Sequence, residues 1–158
     1  MLAVFREHLG TLVAGTLASL ATFVLFYLMT VFTLGWGTTQ LGYRRETFLV
    51  MQLLGIICFG VTIPISARLA ERGRRVTMIW ITVAIALYGL VMGQLFVAGT
   101  AGAMAMLVLG LGLMGMTYGP LGTVLSELFP TSVRYTGSSL TFNLAGIFGA
   151  SLAPSIAV

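Results

Sequence analysis

Long apolar runs alternate with short polar connections along this chain. Five runs are long enough to cross a bilayer, at about residues 12–34, 48–66, 76–97, 101–125 and 136–158. A spanning helix needs roughly 20 apolar residues, because each residue rises about 1.5 Å across a hydrocarbon core of about 30 Å. The runs lack the apolar–polar alternation of a membrane barrel strand. In lipid, a helix closes its backbone hydrogen bonds within one segment. The pattern therefore predicts an all-α membrane protein with five transmembrane helices.

Composition agrees and narrows the choice. Hydrophobic residues make up 58% of the 158 residues and charged residues 8%, against about 25% charged in an ordinary soluble domain. That excludes disorder and a water-soluble enzyme, and the single cysteine excludes a disulfide scaffold. The charge consists of eight Arg and four Glu, all in the connections or at the N-terminus. A pI of 9.8 suggests nucleic acid, but no basic stripe with interleaved aromatics is present. The charge reads instead as orientation. Arg6, Arg68, Arg72, Arg74, Arg75 and Arg134 fall on one side and Arg44 and Arg45 on the other, which predicts a cytoplasmic N-terminus. Trp36, Tyr43 and Phe48 would then mark the outer interface, and Trp80, Phe129 and Tyr135 the inner one. The first run is too long for a signal core and reads as a true span. The fifth ends without a polar cap, as in a piece of something larger.

Helix faces carry the next layer. At 100° per residue, Thr16, Ser19, Thr22, Tyr27, Thr30 and Thr33 share one arc of the first span. Such a stripe either lines a wet cavity, with Tyr27 near mid-depth, or bonds its own backbone and neighbouring helices. In the fourth span Ala101, Ala105, Gly112, Gly115, Gly119 and Gly122 share a face, which lets another backbone approach closely. Gly110 to Gly115 spell G-x-G-x-x-G, but in mid-helix rather than after a strand, so a dinucleotide site is excluded. Gly119-Pro120 should kink this helix. In the fifth span Ser138, Ser139, Gly146 and Gly149 share a side, with Asn143 at its border. Asn143 and Gln52 each offer an amide for an interhelical bond or a solute contact; Gln94 lies nearer the outer end. No acid, base or histidine lies well inside a span, so neither a membrane enzyme nor a proton relay is expected within this stretch. His8 reads as solvated, and Cys58 and the methionines as packing; no metal or cofactor is implied.

The charges gather in two connections predicted on the same side. One holds Arg68, Glu71, Arg72, Arg74 and Arg75, the other Glu127 and Arg134. Both could be solvated positive-inside loops. Alternatively they form an ionic lock, since Arg pairs well with carboxylates and Glu127 sits where Pro130 ends a helix.

The run Tyr118-Gly119-Pro120 followed by Ser126-Glu127-Leu128-Phe129-Pro130-Thr131-Ser132-Val133-Arg134-Tyr135-Thr136-Gly137 resembles the tenth-to-eleventh helix region of major facilitator superfamily transporters. It is most similar to their metabolite:proton symporter branch, the permeases for α-ketoglutarate, citrate, shikimate and proline/betaine. Phe26-Tyr27-Leu28-Met29-Thr30-Val31-Phe32 resembles that branch's seventh helix. The Arg connection falls where the family carries the second G-x-L-x-D-R-x-G-R-R loop. Here the family Gly is Ala67, the Asp is Glu71, and the residue between Arg72 and Gly73 is missing.

The resemblance implies helices seven to eleven of a twelve-helix fold, making residues 1–158 part of the C-terminal six-helix bundle. It further implies a multi-pass plasma (inner) membrane carrier that transports a small organic acid or zwitterion by proton symport and alternating access. Its partners would be the bilayer, the solute, the proton and an N-terminal half absent from this chain. Tyr27, Thr30, Gln52, Tyr118 and Asn143 are the candidates for the solute path. Glu71, Arg72, Arg74, Arg75, Glu127 and Arg134 would close the cytoplasmic side, while Gly112, Gly115, Gly119 and Gly122 pack helices. The alternative is a non-transporting membrane scaffold or assembly subunit, which the glycine faces alone would permit.

Overall fold

A computed structural model describes residues 8–157; Arg6 and Glu7 lie outside the described residues, as do the side chains of 150 and 152–157. Helix α1 (Leu9–Tyr27) passes through a π-helical turn (Leu28–Phe32) into α2 (Thr33–Thr39). After a short turn with Gly42 at φ 70° come α3 (Arg45–Val97), α4 (Gly99–Leu128) and α5 (Arg134–Ala157). Among the described residues there is no strand. The protein is an all-α membrane protein. Three helical stretches are long and apolar enough to cross a membrane: Leu9–Thr39, Arg45–Val97 and Gly99–Leu128.

The 53 residues of α3 are two helices merged across a bend at Gly73, whose backbone is extended (φ 168°, ψ 85°). The bend separates a first arm, 45–72, from a second, 74–97. The whole Arg connection is thus reduced to one non-helical residue. The Thr77 hydroxyl donates to the Leu69 carbonyl across it at 3.2 Å.

Helices in lipid gain little from burying apolar surface against each other, so close contact has to come from small residues. The seam between the first arm of α3 and α4 is built this way. A Cβ added to Gly115 would lie 2.5 Å from the Phe59 carbonyl oxygen, and one on Gly119 would lie 2.6 Å from that of Ile63. Gly112 faces the Cys58 sulfur at 3.1 Å, and Gly55 on the opposing arm faces the Leu107 carbonyl at 3.1 Å. Gly122, on the same predicted face, has nothing within 4 Å and borders an open groove toward α5. The helix runs on through a buried Pro120. A second seam joins α1 to α5, with Gly15 against the Thr141 methyl at 2.9 Å and Gly149 against the Phe23 Cβ at 2.5 Å.

Two of the aromatic residues expected near the membrane interfaces are buried within the bundle. Phe48 is fully buried because Gly37 leaves space for its ring, which lies near Tyr43 and Phe96. Phe129 is buried in the same manner against Gly137. Trp36, Trp80 and Tyr135 are exposed.

Gly115→Leu should force the α3 and α4 backbones apart and lower stability by about 1–3 kcal/mol, as overpacking does. Gly122→Ala should stay within about 0.5 kcal/mol of wild type. Thermal unfolding of the chain in lipid nanodiscs distinguishes the two.

Candidate functional site

The hydroxyl stripe of the first span faces protein along most of its length. Thr16, Ser19, Thr22 and Thr33 are buried. Thr16 donates to the Leu12 carbonyl at 2.8 Å, Ser19 to Gly15 at 2.8 Å and Thr33 to Met29 at 2.7 Å. The Thr22 hydroxyl donates to Thr117 Oγ1 on α4 at 2.9 Å. Where the sequence left open a wet cavity or a packed seam, these four side chains take the second option. Only Tyr27 and Thr30, next to and within the π-helical turn, are half-buried. The Thr30 hydroxyl donates to the Phe26 carbonyl at 2.5 Å.

The structure gathers the five path candidates into two places. Gln52 is buried and bonds the backbone of Met29 and Thr30, which puts it beside Tyr27 and Thr30. Tyr118 lies instead between α3 and α5. Its ring is 5.8 Å from that of Phe59 and 6.4 Å from that of Phe142, the latter one residue before Asn143. Asn143 is exposed and donates to the Ser139 carbonyl of its own helix at 2.7 Å. Phe142 in turn lies 4.9 Å from Phe23 of α1, edge-on. Phe59, Tyr118, Phe142 and Phe23 thus form an aromatic line across α3, α4, α5 and α1. Apart from Tyr118, none of these residues stood out in the sequence, because a lone Phe in an apolar helix carries no signal.

At the Gly73 end of the bundle, Arg74 forms an ion pair with Glu127, joining the bend of α3 to the last turn of α4. The side chains are 41% and 55% exposed, so the pair is screened by water. The other ion pair among the described residues, Arg44–Glu46, is at the opposite end and more exposed still. Glu71, Arg72, Arg75 and Arg134 carry no ion pair among the described residues. Arg134 donates from Nε to the Phe129 carbonyl at 3.4 Å. It borders a groove of about 600 Å³ between α4 and α5, with Ser126, Ser138 and Asn143 on its walls. Arg74, Arg75 and Glu127 edge a second groove on the other side of α4. Among the described residues no three metal-ligating side chains come together.

The described residues form a bundle of helices long and apolar enough to cross a membrane, with one end tied by an Arg–Glu pair. The family described as sugar (and other) transporter matches residues 5–153. The chain belongs to that family, within the major facilitator superfamily. It is 45% identical over 96% of its length to the inner membrane metabolite transport protein YhjE of Escherichia coli, covering 36% of that protein. It is 42% identical to a Haemophilus influenzae protein over 98% of this chain and 38% of that one. The citrate-proton symporter of Salmonella typhi is 32% identical over 98% of this chain and 36% of its own length. The chain therefore spans little more than a third of these relatives. No solved structure matches it.

A half-exposed ion pair contributes about 1 kcal/mol at most. Glu127→Gln should therefore shift the unfolding free energy of the chain by less than about 1 kcal/mol, read by denaturant titration in micelles. A larger loss would mean that the pair holds the fold together.

Proposed function

We propose that this chain supplies helices seven to eleven of a twelve-helix proton-coupled carrier for a small organic acid or zwitterion. Its spans lie at about 12–34, 48–66, 76–97, 101–125 and 136–158. The carrier would sit in the inner membrane with this chain's N-terminus in the cytoplasm. The observation that carries the reading is the Arg74–Glu127 pair, which ties two separate helix connections at one end of the bundle in a chain that belongs to a transporter family. Likeness to a citrate-proton symporter supports the solute class and the coupling ion.

The mechanism follows from what the bundle holds and lacks. Carriers of this kind bind solute near the midplane between two halves that rock against each other. The α3–α4 and α1–α5 seams are backbone-close and move as units, so the opening and closing belong to the face this chain turns to the other half. Tyr27 and Thr30, with Tyr118 and Asn143 across the bundle, present hydroxyl, phenol and amide groups that can hydrogen-bond a carboxylate or carbonyl. No carboxylate lies inside a span, so the coupling proton is carried in the other half. Glu127 with Arg74, Arg75 and Arg134, and Glu71 with Arg72, form the cytoplasmic closure when the site faces outward.

Purified alone into liposomes, the 158-residue chain should show no solute uptake above empty vesicles. In the complete carrier, Glu127→Arg should cut uptake at least tenfold while membrane insertion is retained, and the added Arg74→Glu should restore part of it. Uptake unchanged by the single reversal would end the gate assignment. Cysteines placed at Gly73 and Thr131 should react with a membrane-impermeant maleimide only in inverted vesicles; labelling of intact cells would overturn the orientation.

A further inference from the structure

In the π-helical turn at Leu28–Phe32 the Thr33 amide reaches the Leu28 carbonyl, five residues back. A turn of this kind holds one residue more than an α turn, and the change of register displaces carbonyls from their usual donors. In lipid such groups need another partner. Here Gln52, on the first arm of α3, donates from Nε2 to the carbonyls of both Met29 and Thr30, each at 2.9 Å. Gln52 is 7% exposed. Both of its N–H donors are therefore committed to the backbone of another helix, and neither is left for a solute.

The rest of the bundle closes around the same point. Met29 is fully buried. Its sulfur lies 3.3 Å from the Tyr88 hydroxyl on the second arm of α3, which donates to the Met106 carbonyl of α4 at 2.8 Å. Both sides of the turn are therefore held: the buried side by Met29 and Tyr88, and the carbonyl side by Gln52, which shares the Met29 carbonyl with the Thr33 hydroxyl and is the side-chain partner of the Thr30 carbonyl. The hydroxyl stripe that is buried from Thr16 to Thr22 opens at this turn, where Tyr27 and Thr30 are half-buried.

We propose that Gln52 is a positioning residue. It holds the turn in its π register and so fixes the angle at which Tyr27 and Thr30 are presented, without touching solute itself. Loss of the extra residue's register would rotate α2 against α1 by about 100°, the angular step of one residue. Only the role of Tyr27 and Thr30 rests on the carrier reading; the clasp does not.

The test is a double-mutant cycle on the chain in lipid nanodiscs, read by amide hydrogen exchange of the peptide covering residues 25–36. Gln52→Met keeps the length of the side chain and removes both donors. It should speed exchange about tenfold. Deleting Val31 removes the extra residue, leaving no carbonyls for Gln52 to serve, so Gln52→Met in that background should change exchange less than twofold. Unchanged exchange in the first variant, or an equal rise in both backgrounds, overturns the proposal, because a packing role would act in both. Gln52→Glu, which keeps one donor when protonated, should fall between Gln52 and Met. In a Cys58→Ser background, maleimide reactivity of Thr30→Cys should change at least threefold on Gln52→Met; constancy would also overturn it. In the complete carrier Gln52→Met should raise KM more than it lowers kcat. Absence of any uptake by the wild-type carrier would instead defeat the carrier reading and leave the exchange result standing.

Discussion

Apolar helices in lipid have no hydrophobic reason to leave the lipid for one another, so this bundle depends on how near their backbones can come. The decisive contacts are glycine against carbonyl: Gly115 on Phe59 and Gly119 on Ile63, with Gly55 returning the contact on Leu107. Dispersion falls steeply with separation, and lipid competes for every wider gap. A side chain at any of these positions would replace helix–helix contact with helix–lipid contact at no net gain. The rest of the fold follows from this seam. It fixes α4 against the first arm of α3, which sets where the last turn of α4 places Glu127 relative to the bend at Gly73.

Polar groups obey the second constraint, that nothing buried in lipid stays unpaired. Most hydroxyls here meet it cheaply by bonding a carbonyl three or four residues back in their own helix, as Thr16, Ser19, Thr33 and Thr141 do. Such bonds do not specify which helices meet. Those that cross between helices do, among them Thr22 to Thr117, Gln52 to the π-helical turn, Tyr88 to Met106, Ser66 to Gly115 and Ser138 to Leu125. Each such bond in a membrane is worth only about 0.6 kcal/mol on average. Their value lies in direction, because they hold rotation about a helix axis that glycine contacts leave free.

Much of this was legible in the sequence, and the gaps have physical causes. A run of apolar residues reports a helix in lipid directly, since no other backbone survives there, and a glycine face reports close packing because nothing else removes a Cβ. Gly112, Gly115 and Gly119 are where that reasoning puts them. Gly122 is not, because angular position says which face a residue is on but not how far along the axis the partner still follows. The hydroxyl arc was equally visible, yet its use was not: a Thr bonding its own helix and a Thr lining a cavity look alike in letters. The π-helical turn broke the 100° step on which the arc was drawn. Hydropathy gives Phe48 and Phe129 a depth only, whereas Gly37 and Gly137, several residues away in sequence, open the holes that bury them. The Arg74–Glu127 pair was within reach, since opposite charges were predicted at one end of the bundle, but the choice among four arginines was not.

The contrast between that pair and the seams bears on how such a bundle can work. Contacts between backbone and glycine are lost abruptly when helices separate, so the α3–α4 and α1–α5 seams resist opening. An Arg–Glu pair at the water's edge is the reverse case. Water replaces each partner as it leaves, so separating the pair costs about 1 kcal/mol or less. A closure that must release thousands of times is better made of exposed charge than of buried packing. Pairs in parallel would add their small contributions, and Glu71, Arg72, Arg75 and Arg134, which carry no ion pair among the described residues, are four more charges near this end. An excess of arginine over glutamate at this end leaves positive charge unmatched among the described residues.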